Sequence, residues 1–121
     1  MVANARAHGK LFVPCVAPGY DDSRVRPWNG ANSRAREDGA YYDRMWSAAL
    51  EAKAEIVAVT SFNEWHEGTQ IEEAAPFAST RPGVAPYLDY GQTPARYLES
   101  TSRWVEKLDA RLLERTPLRR R

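Results

Sequence analysis

The chain has little that would tie it to a disulfide, a metal, a membrane or a polyanion. Its single cysteine among 121 residues leaves no partner for an intrachain bridge. Set in an apolar stretch, Cys15 reads as a small buried hydrophobe and not as a nucleophile. Only two histidines are present. The pair His66-Glu67 suggests a zincin helix, but the second histidine is missing, with Gln70 and Ile71 standing in the turn where it would fall, so a metal is discarded. No apolar run has the length of a signal peptide or a membrane span, and no Asn-x-Ser/Thr acceptor occurs. Net charge is +1, with arginines scattered among acids except for Arg119-Arg120-Arg121. Nothing here argues for nucleic acid, and the terminal run reads as a solvated, frayed end. There is no internal repeat and no low-complexity segment.

What the chain does have is concentrated between Ser61 and Glu72, SFNEWHEGTQIE. Ionisable, aromatic and amide side chains follow directly on Ile56-Val57-Ala58-Val59-Thr60, a short uncharged β-branched run that suits a strand buried on both faces. Ligands of parallel α/β architectures bind at the carboxyl ends of the strands, so polar groups that begin at Asn63 are placed for chemistry. Glu64 and Glu67 are three apart. In a continuing strand they would point to opposite faces, so they converge only if the chain leaves the strand near Glu64, and Gly68 makes that bend easy. Two such carboxyls can divide into base and acid when their surroundings separate their proton affinities. The plainer alternative is that one glutamate caps a following helix and the other is solvated.

The rest of the chain supports a βαβα order. Residues 1–9 suit the end of a preceding helix closed by His8-Gly9, with His8 a cap and not a catalyst. Leu11 to Ala17 is a second buried-strand candidate, turned by Pro18-Gly19. The long loop from Tyr20 to Asn32 carries Tyr20, Arg26, Trp28 and Asn32, whose ring faces and forked donors suit a sugar; alternatively Arg24 and Arg26 pair with Asp21 and Asp22 to pin the loop. Residues 41–54 show apolar positions at 42, 45, 46 and 49, a helix stripe that places Met45 and Trp46 in the core. A strand at 55–62 follows. The Pro-, Ala- and Gly-rich stretch 72–92, with Tyr87 and Tyr90, reads as an ordered loop across a rim. Thr93-Pro94 opens a closing amphipathic helix over 94–113, with Trp104 in the core and the chain stopped before Pro117. Residues 114–121 form a basic tail.

The segment TSFNEWHEGTQIE, with PGYDDSRVRPWN, GAYY, YLDYG and YLESTSRWVE around it, resembles the glycoside hydrolase family of endo-α-1,2-mannosidases and endo-α-1,2-mannanases, from about Leu11 to Lys107. Those enzymes are much longer (β/α)8 TIM-type barrels, which typically need about 250 residues, so the resemblance implies the C-terminal βαβα portion of such a barrel. It also implies Glu64 and Glu67 as the catalytic pair. Tyr20, Arg26, Trp28, Asn32, Asn63, Trp65 and His66 would contact substrate, a mannose-containing oligosaccharide or N-glycan, with no cofactor. The missing N-terminal barrel portion would be the protein partner. Animal relatives are Golgi-anchored through a part with no counterpart here and bacterial ones are secreted or periplasmic, so the compartment stays open.

By the same resemblance the reaction retains configuration through a 1,2-anhydro sugar. Glu64 is expected to take the 2-hydroxyl proton, and Glu67 to protonate the leaving oxygen and later activate water. With only two strand ends present, the isolated chain is expected to be inactive. A non-catalytic carbohydrate-binding or interaction module derived from the barrel is the alternative. Such a module would keep the aromatics and arginines but would not need the paired carboxylates.

Overall fold

The computed structural model describes residues 1–75, 87–90 and 92–115. A short helix α1 (Val2–Ala7) leads to strand β1 (Cys15–Val16). Helix α2 (Ala40–Glu51) follows, then strand β2 (Ala58–Val59), and helix α3 (Arg96–Arg115) closes the order. The strands pair in parallel, Cys15 opposite Ala58 and Val16 opposite Val59. Ala58 N–H donates to Pro14 O at 2.9 Å and Thr60 N–H to Val16 O at 2.8 Å. Parallel neighbours need a crossover, and α2 supplies it.

Helix α2 begins at Gly39, whose φ of +93° is open to glycine at no steric cost. Tyr42, Trp46 and Ala49 recur at i, i+4 and i+7 and are the buried face. They join Val16, Ile71, Ala74, Tyr90 and Tyr97 in one core. Aromatic rings dominate it. Tyr42 meets Trp46 and Tyr97 edge-on at 6.1 and 5.8 Å, Tyr90 meets Tyr97 at 4.7 Å, and Trp46 stacks on Trp104 at 6.3 Å. Polar ties fasten α3 to α2: Tyr42 OH lies 2.9 Å from Thr101 Oγ1, and Trp104 Nε1–H donates to Asp43 Oδ1 at 2.7 Å. Arg111 donates to the carbonyls of Leu50 and Ala54 at the end of the crossover.

The element order is the expected one, but the strands are shorter than 11–17 and 55–62. They are also covered on one face only. Val16 is buried and Val57 and Val59 are half-buried against the helices, whereas Leu11, Val13, Cys15, Ile56 and Ala58 alternate with them and are exposed. Burial on both faces is therefore corrected for Ile56 to Thr60, and so is the buried setting of Cys15, which is exposed. The cause is the same in both cases. The period of two sends these side chains to the face that the helices do not cover.

The helix at 41–54 ends at Glu51 and the one at 94–113 runs from Arg96 to Arg115, with Arg96 N–H donating to Thr93 O at 3.1 Å in the turn that precedes it. Thr93-Pro94 is thus a turn and not the helix start. Trp104 is half-buried against the core. His8 is the C-cap of α1, its Nδ1 lying 2.8 Å from Asn4 O, and Gly9 follows at φ +62°. Part of the loop expected over 72–92 and most of the basic tail expected over 114–121 lie outside the described residues; Glu114 and Arg115 belong to α3.

Candidate active site

Beyond β2 the chain turns through a cis Thr60–Ser61 peptide into a 3-10 turn, Trp65–Glu67, closed by Gly68 at φ +60°. Ser61 holds both ends of this excursion. Its hydroxyl accepts from Glu64 N–H at 2.9 Å, and its backbone N–H donates to Thr69 O at 2.8 Å. The chain therefore does leave the strand before Glu64, and both glutamates belong to one tight turn. The Glu64 carboxylate caps that turn, accepting from His66 N–H at 3.2 Å, while the side chain stays exposed. The capping alternative thus holds for Glu64. Glu67 is half-buried, and its carbonyl accepts from Asp21 N–H at 2.8 Å.

That bond brings in the loop after β1. Asp22 is fully buried and gathers the loop around itself: Arg26 Nη1 donates to Oδ2 and Asn29 Nδ2 to Oδ1, each at 2.8 Å. The same Asn29 Nδ2 donates to Tyr20 OH at 3.3 Å. The Arg26 hydrogen bond, more than any other group, holds the Asp22 carboxyl below the ordinary carboxylate range, and the neighbouring Asp22 carboxylate, more than any other group, pushes the Tyr20 phenol up. Arg26 Nη1 also lies 3.8 Å from Glu67 Oε1. Of the two readings of Arg26, pinning the loop is therefore realised at Asp22, and the same guanidinium still reaches the site.

Asp21 accepts from Ser23 N–H at 3.0 Å and from the Ser33 hydroxyl at 3.4 Å, and Arg24 packs its guanidinium 3.9 Å from the Tyr87 ring centroid.

A second group forms on the other side of the turn. Trp65 is half-buried, meets Tyr87 edge-on at 6.0 Å and donates its indole N–H to Glu72 Oε2 at 2.9 Å. His66 Nδ1 lies 3.2 Å from Tyr87 OH. Asn63 is exposed, with its carbonyl accepting from Trp65 N–H at 3.0 Å. Trp28 and Asn32 stand on the 3-10 segment Pro27–Asn32, where Trp28 is 81% exposed and Asn32 donates to Asn29 Oδ1. Tyr20 and Arg26 are thus brought to Glu67 through Asp22, and Trp65 and His66 to Tyr87. Trp28 and Asn32 are exposed on the loop after β1.

Sequence reasoning named Asp22 as a partner that lets the arginines pin the loop, and Tyr87 as part of the stretch 72–92, but gave neither a place in the site, and it did not single out Asn29 or Arg36. The i, i+4 spacing of Asp22 and Arg26 was the available signal for Asp22. Arg36 donates from Nη2 to Gly68 O and Gln70 O, both at 2.9 Å, and its guanidinium carbon lies 5.0 and 4.6 Å from the ring centroids of Tyr90 and Tyr97. Tyr90 OH donates to the same Gln70 carbonyl at 2.8 Å. Among the described residues no group of three or more His, Cys, Asp or Glu side chains is placed to hold a metal ion.

The family model described as glycosyl hydrolase family 99 matches residues 1–110. A glycoprotein endo-alpha-1,2-mannosidase-like protein of Homo sapiens is 50% identical over 101 residues, 83% of this chain and 21% of its own. The glycoprotein endo-alpha-1,2-mannosidase of Rattus norvegicus is 50% identical over 98 residues, 80% of this chain and 21% of its own. The solved family 99 endo-alpha-mannosidase of Bacteroides thetaiotaomicron, in complex with bis-tris-propane, superposes with a TM-score of 0.83. It is 49% identical to this chain and covered over 93% of this chain and 35% of that one. The chain therefore spans about a fifth of the length of these mammalian relatives. With nearly all of its own residues matched and half of the aligned ones identical, it belongs to glycosyl hydrolase family 99.

Proposed function

We propose that this chain is the acid/base-bearing part of a glycosidase that cuts α-1,2-linked mannosides internally, forming the closing βαβα portion of a (β/α)8 barrel. The observation that carries the proposal is the placement of Glu64 and Glu67 on one 3-10 turn at the exit of β2, with Arg26 beside Glu67. In an α-mannoside the leaving group at C1 and the 2-hydroxyl are both axial and antiperiplanar. O2 can then attack C1 from the face opposite the aglycone, forming the new C1–O2 bond as the C1–aglycone bond breaks. Glu64 takes the proton from O2 and Glu67 gives one to the leaving oxygen. Glu67 next removes a proton from water as that water opens the 1,2-anhydro ring at C1, and O2 recovers its proton. Two inversions give net retention, without the glycosyl-carboxylate ester of the usual retaining scheme.

The test uses a longer family 99 protein carrying this segment. Glu64→Gln and Glu67→Gln should each abolish cleavage of an α-1,2-linked manno-oligosaccharide, and a 2-deoxy substrate should not turn over. Trapping of a glycosyl ester on Glu64, or ordinary turnover of the 2-deoxy substrate, would overturn the mechanism.

The isolated 121 residues should not hydrolyse mannosides, because two strand ends supply only part of the walls that a barrel site builds from all its loops. Turnover by the purified chain, lost in Glu67→Gln, is the contrary result. The exposed ring of Trp28 favours a second reading, a non-catalytic carbohydrate-binding module. That reading predicts binding of a manno-oligosaccharide by the isolated chain with no turnover by any longer protein that carries it.

A further inference from the structure

Asp22 is the one carboxylate near the turn that is wholly shut off from solvent, and it touches neither Glu64 nor Glu67 in any contact described above. Both its oxygens are nevertheless used, Oδ2 by Arg26 and Oδ1 by Asn29, each at 2.8 Å. Its carbonyl is used as well, accepting from Val25 N–H at 3.0 Å and Arg26 N–H at 2.8 Å. A buried charge held so completely fixes the groups that satisfy it. The most consequential of these is Arg26, whose side chain is 49% exposed and would be free to wander without that anchor. Anchored, it stands 3.8 Å from Glu67 Oε1. The backbone of the same loop holds Glu67 from the other side, through Asp21 N–H to Glu67 O at 2.8 Å.

We propose that Asp22 is a positioning residue for the acid/base carboxyl: by clamping Arg26 from beneath, it sets where the guanidinium lies and so orients Glu67 toward the leaving oxygen. This rests on the reading of Glu67 as the acid that protonates the leaving group. At 3.8 Å the contact is longer than a charge-assisted hydrogen bond, so Arg26 can steer the carboxyl without committing both of its oxygens. If Asp22 were neutral, Arg26 would be released to form a closer pair with Glu67, and the carboxyl would turn away from substrate.

The experiment compares two substrates in a longer family 99 protein carrying this segment. One has a sugar as leaving group, which must be protonated as it departs. The other carries the same glycone on fluoride, which departs without a proton from an acid. The reading is taken on kcat/KM, which reports the first irreversible step. Asp22→Asn keeps the volume and one acceptor while removing the charge. It should lower kcat/KM for the sugar leaving group by about 10- to 100-fold, no more than the lower end of the ~10²–10⁴ that a positioned acid or base contributes, while the fluoride stays close to the unsubstituted value.

Arg26→Gln, whatever it costs both substrates through lost binding contacts, should lower kcat/KM for the sugar leaving group by a larger factor than for the fluoride, and serves if Asp22→Asn fails to fold. An equal loss on both substrates in whichever variant folds would overturn the proposal and make the Asp22 cluster purely structural. No loss on either would overturn it too. Glu67→Gln is run alongside. Should it lose both substrates equally, the acid role of Glu67 fails, and that failure is distinguished from a fault in the positioning argument alone.

Discussion

The backbone N–H of Asp21 donates to the carbonyl of Glu67 at 2.8 Å, so the loop after β1 and the turn after β2 are joined by main chain and not by side chains alone. Gly68 makes this approach possible. A Cβ there would lie 3.2 Å from both the N and the O of Asp21 and 3.2 Å from Leu88 Cδ1, on a backbone with φ of +60°.

Gly68→Ala should therefore destabilise the protein. The left-handed backbone alone costs roughly 1–2 kcal/mol for a residue bearing a Cβ, and the crowding against Asp21 adds to it. Thermal denaturation is the check, with Gly68→Asn as the comparison because asparagine tolerates this region better. Equal melting temperatures for the parent and Gly68→Ala would mean that the two loops separate easily.

The Asp22 charge should be visible in the acid stability profile. Its carboxyl is held low chiefly by Arg26, so its contribution is complete above the unfolded value of ~3.9 and fades as pH falls through the lower folded one. Asp22→Asn should thus be less stable than the parent at neutral pH, and the two should converge below about pH 4. Glu37, held low by Arg44, is common to both proteins and cancels in the difference, whereas Asp21, held low by Ser23 against a raising effect of the Asp22 charge, moves lower still in Asp22→Asn. Denaturant midpoints from pH 7 to 3 read it, and a constant offset across that range would remove the charge as the cause.

At the alkaline end Tyr90 should dominate. Burial, more than any neighbour, pushes its phenol up to about 12. The unfolded chain releases this proton near 10, so stability is intact below that pH and is lost as pH rises toward 12. Tyr42, raised by the same cause, works in the same direction. Tyr90→Phe should soften the alkaline fall. At neutral pH it should cost ~0.5–1 kcal/mol, the low end for a lost hydrogen bond, because Arg36 still donates to Gln70 O at 2.9 Å. Absorbance titration of the tyrosines together with unfolding from pH 9 to 12 tests both parts.

Two tryptophans should behave in opposite ways. Trp46 is 1% exposed at the centre of the aromatic core, and Trp46→Ala should cost about 3–5 kcal/mol. Trp28 is 81% exposed, and Trp28→Ala should stay within about 0.5 kcal/mol, with any loss confined to affinity for the oligosaccharide. Urea unfolding and substrate titration separate the two effects.

Much of this was legible in the sequence because the signals were local. The stripe 42, 45, 46, 49 specified α2, and the abrupt change from Ile56–Thr60 to Asn63–Glu67 marked the turn that follows β2. Cys15 and Ile56 misled because hydrophobicity predicts burial without saying what does the covering, and among the described residues no helix covers that sheet face. The pairing of Asp22 with Arg26 was legible, but its enclosure was not, because an aspartate beside arginines looks the same whether solvated or enclosed. Only the folding back of Arg26 and Asn29, four and seven residues on, closes the cage. The meeting of His66 with Tyr87 spans 21 residues and leaves no periodic trace.

Arg36 lies outside the Glu64–Glu67 turn and touches neither glutamate in the contacts described, yet it ties Gly68 and Gln70 to the aromatic faces of Tyr90 and Tyr97. The turn that carries both glutamates is thus registered against the helical layer as well as against the sheet. In a selection for activity over all single substitutions, positions on the inner face of α3 should then lose fitness in two ways, through abundance and through turnover per folded molecule. Tyr97 is where the second component should stand out.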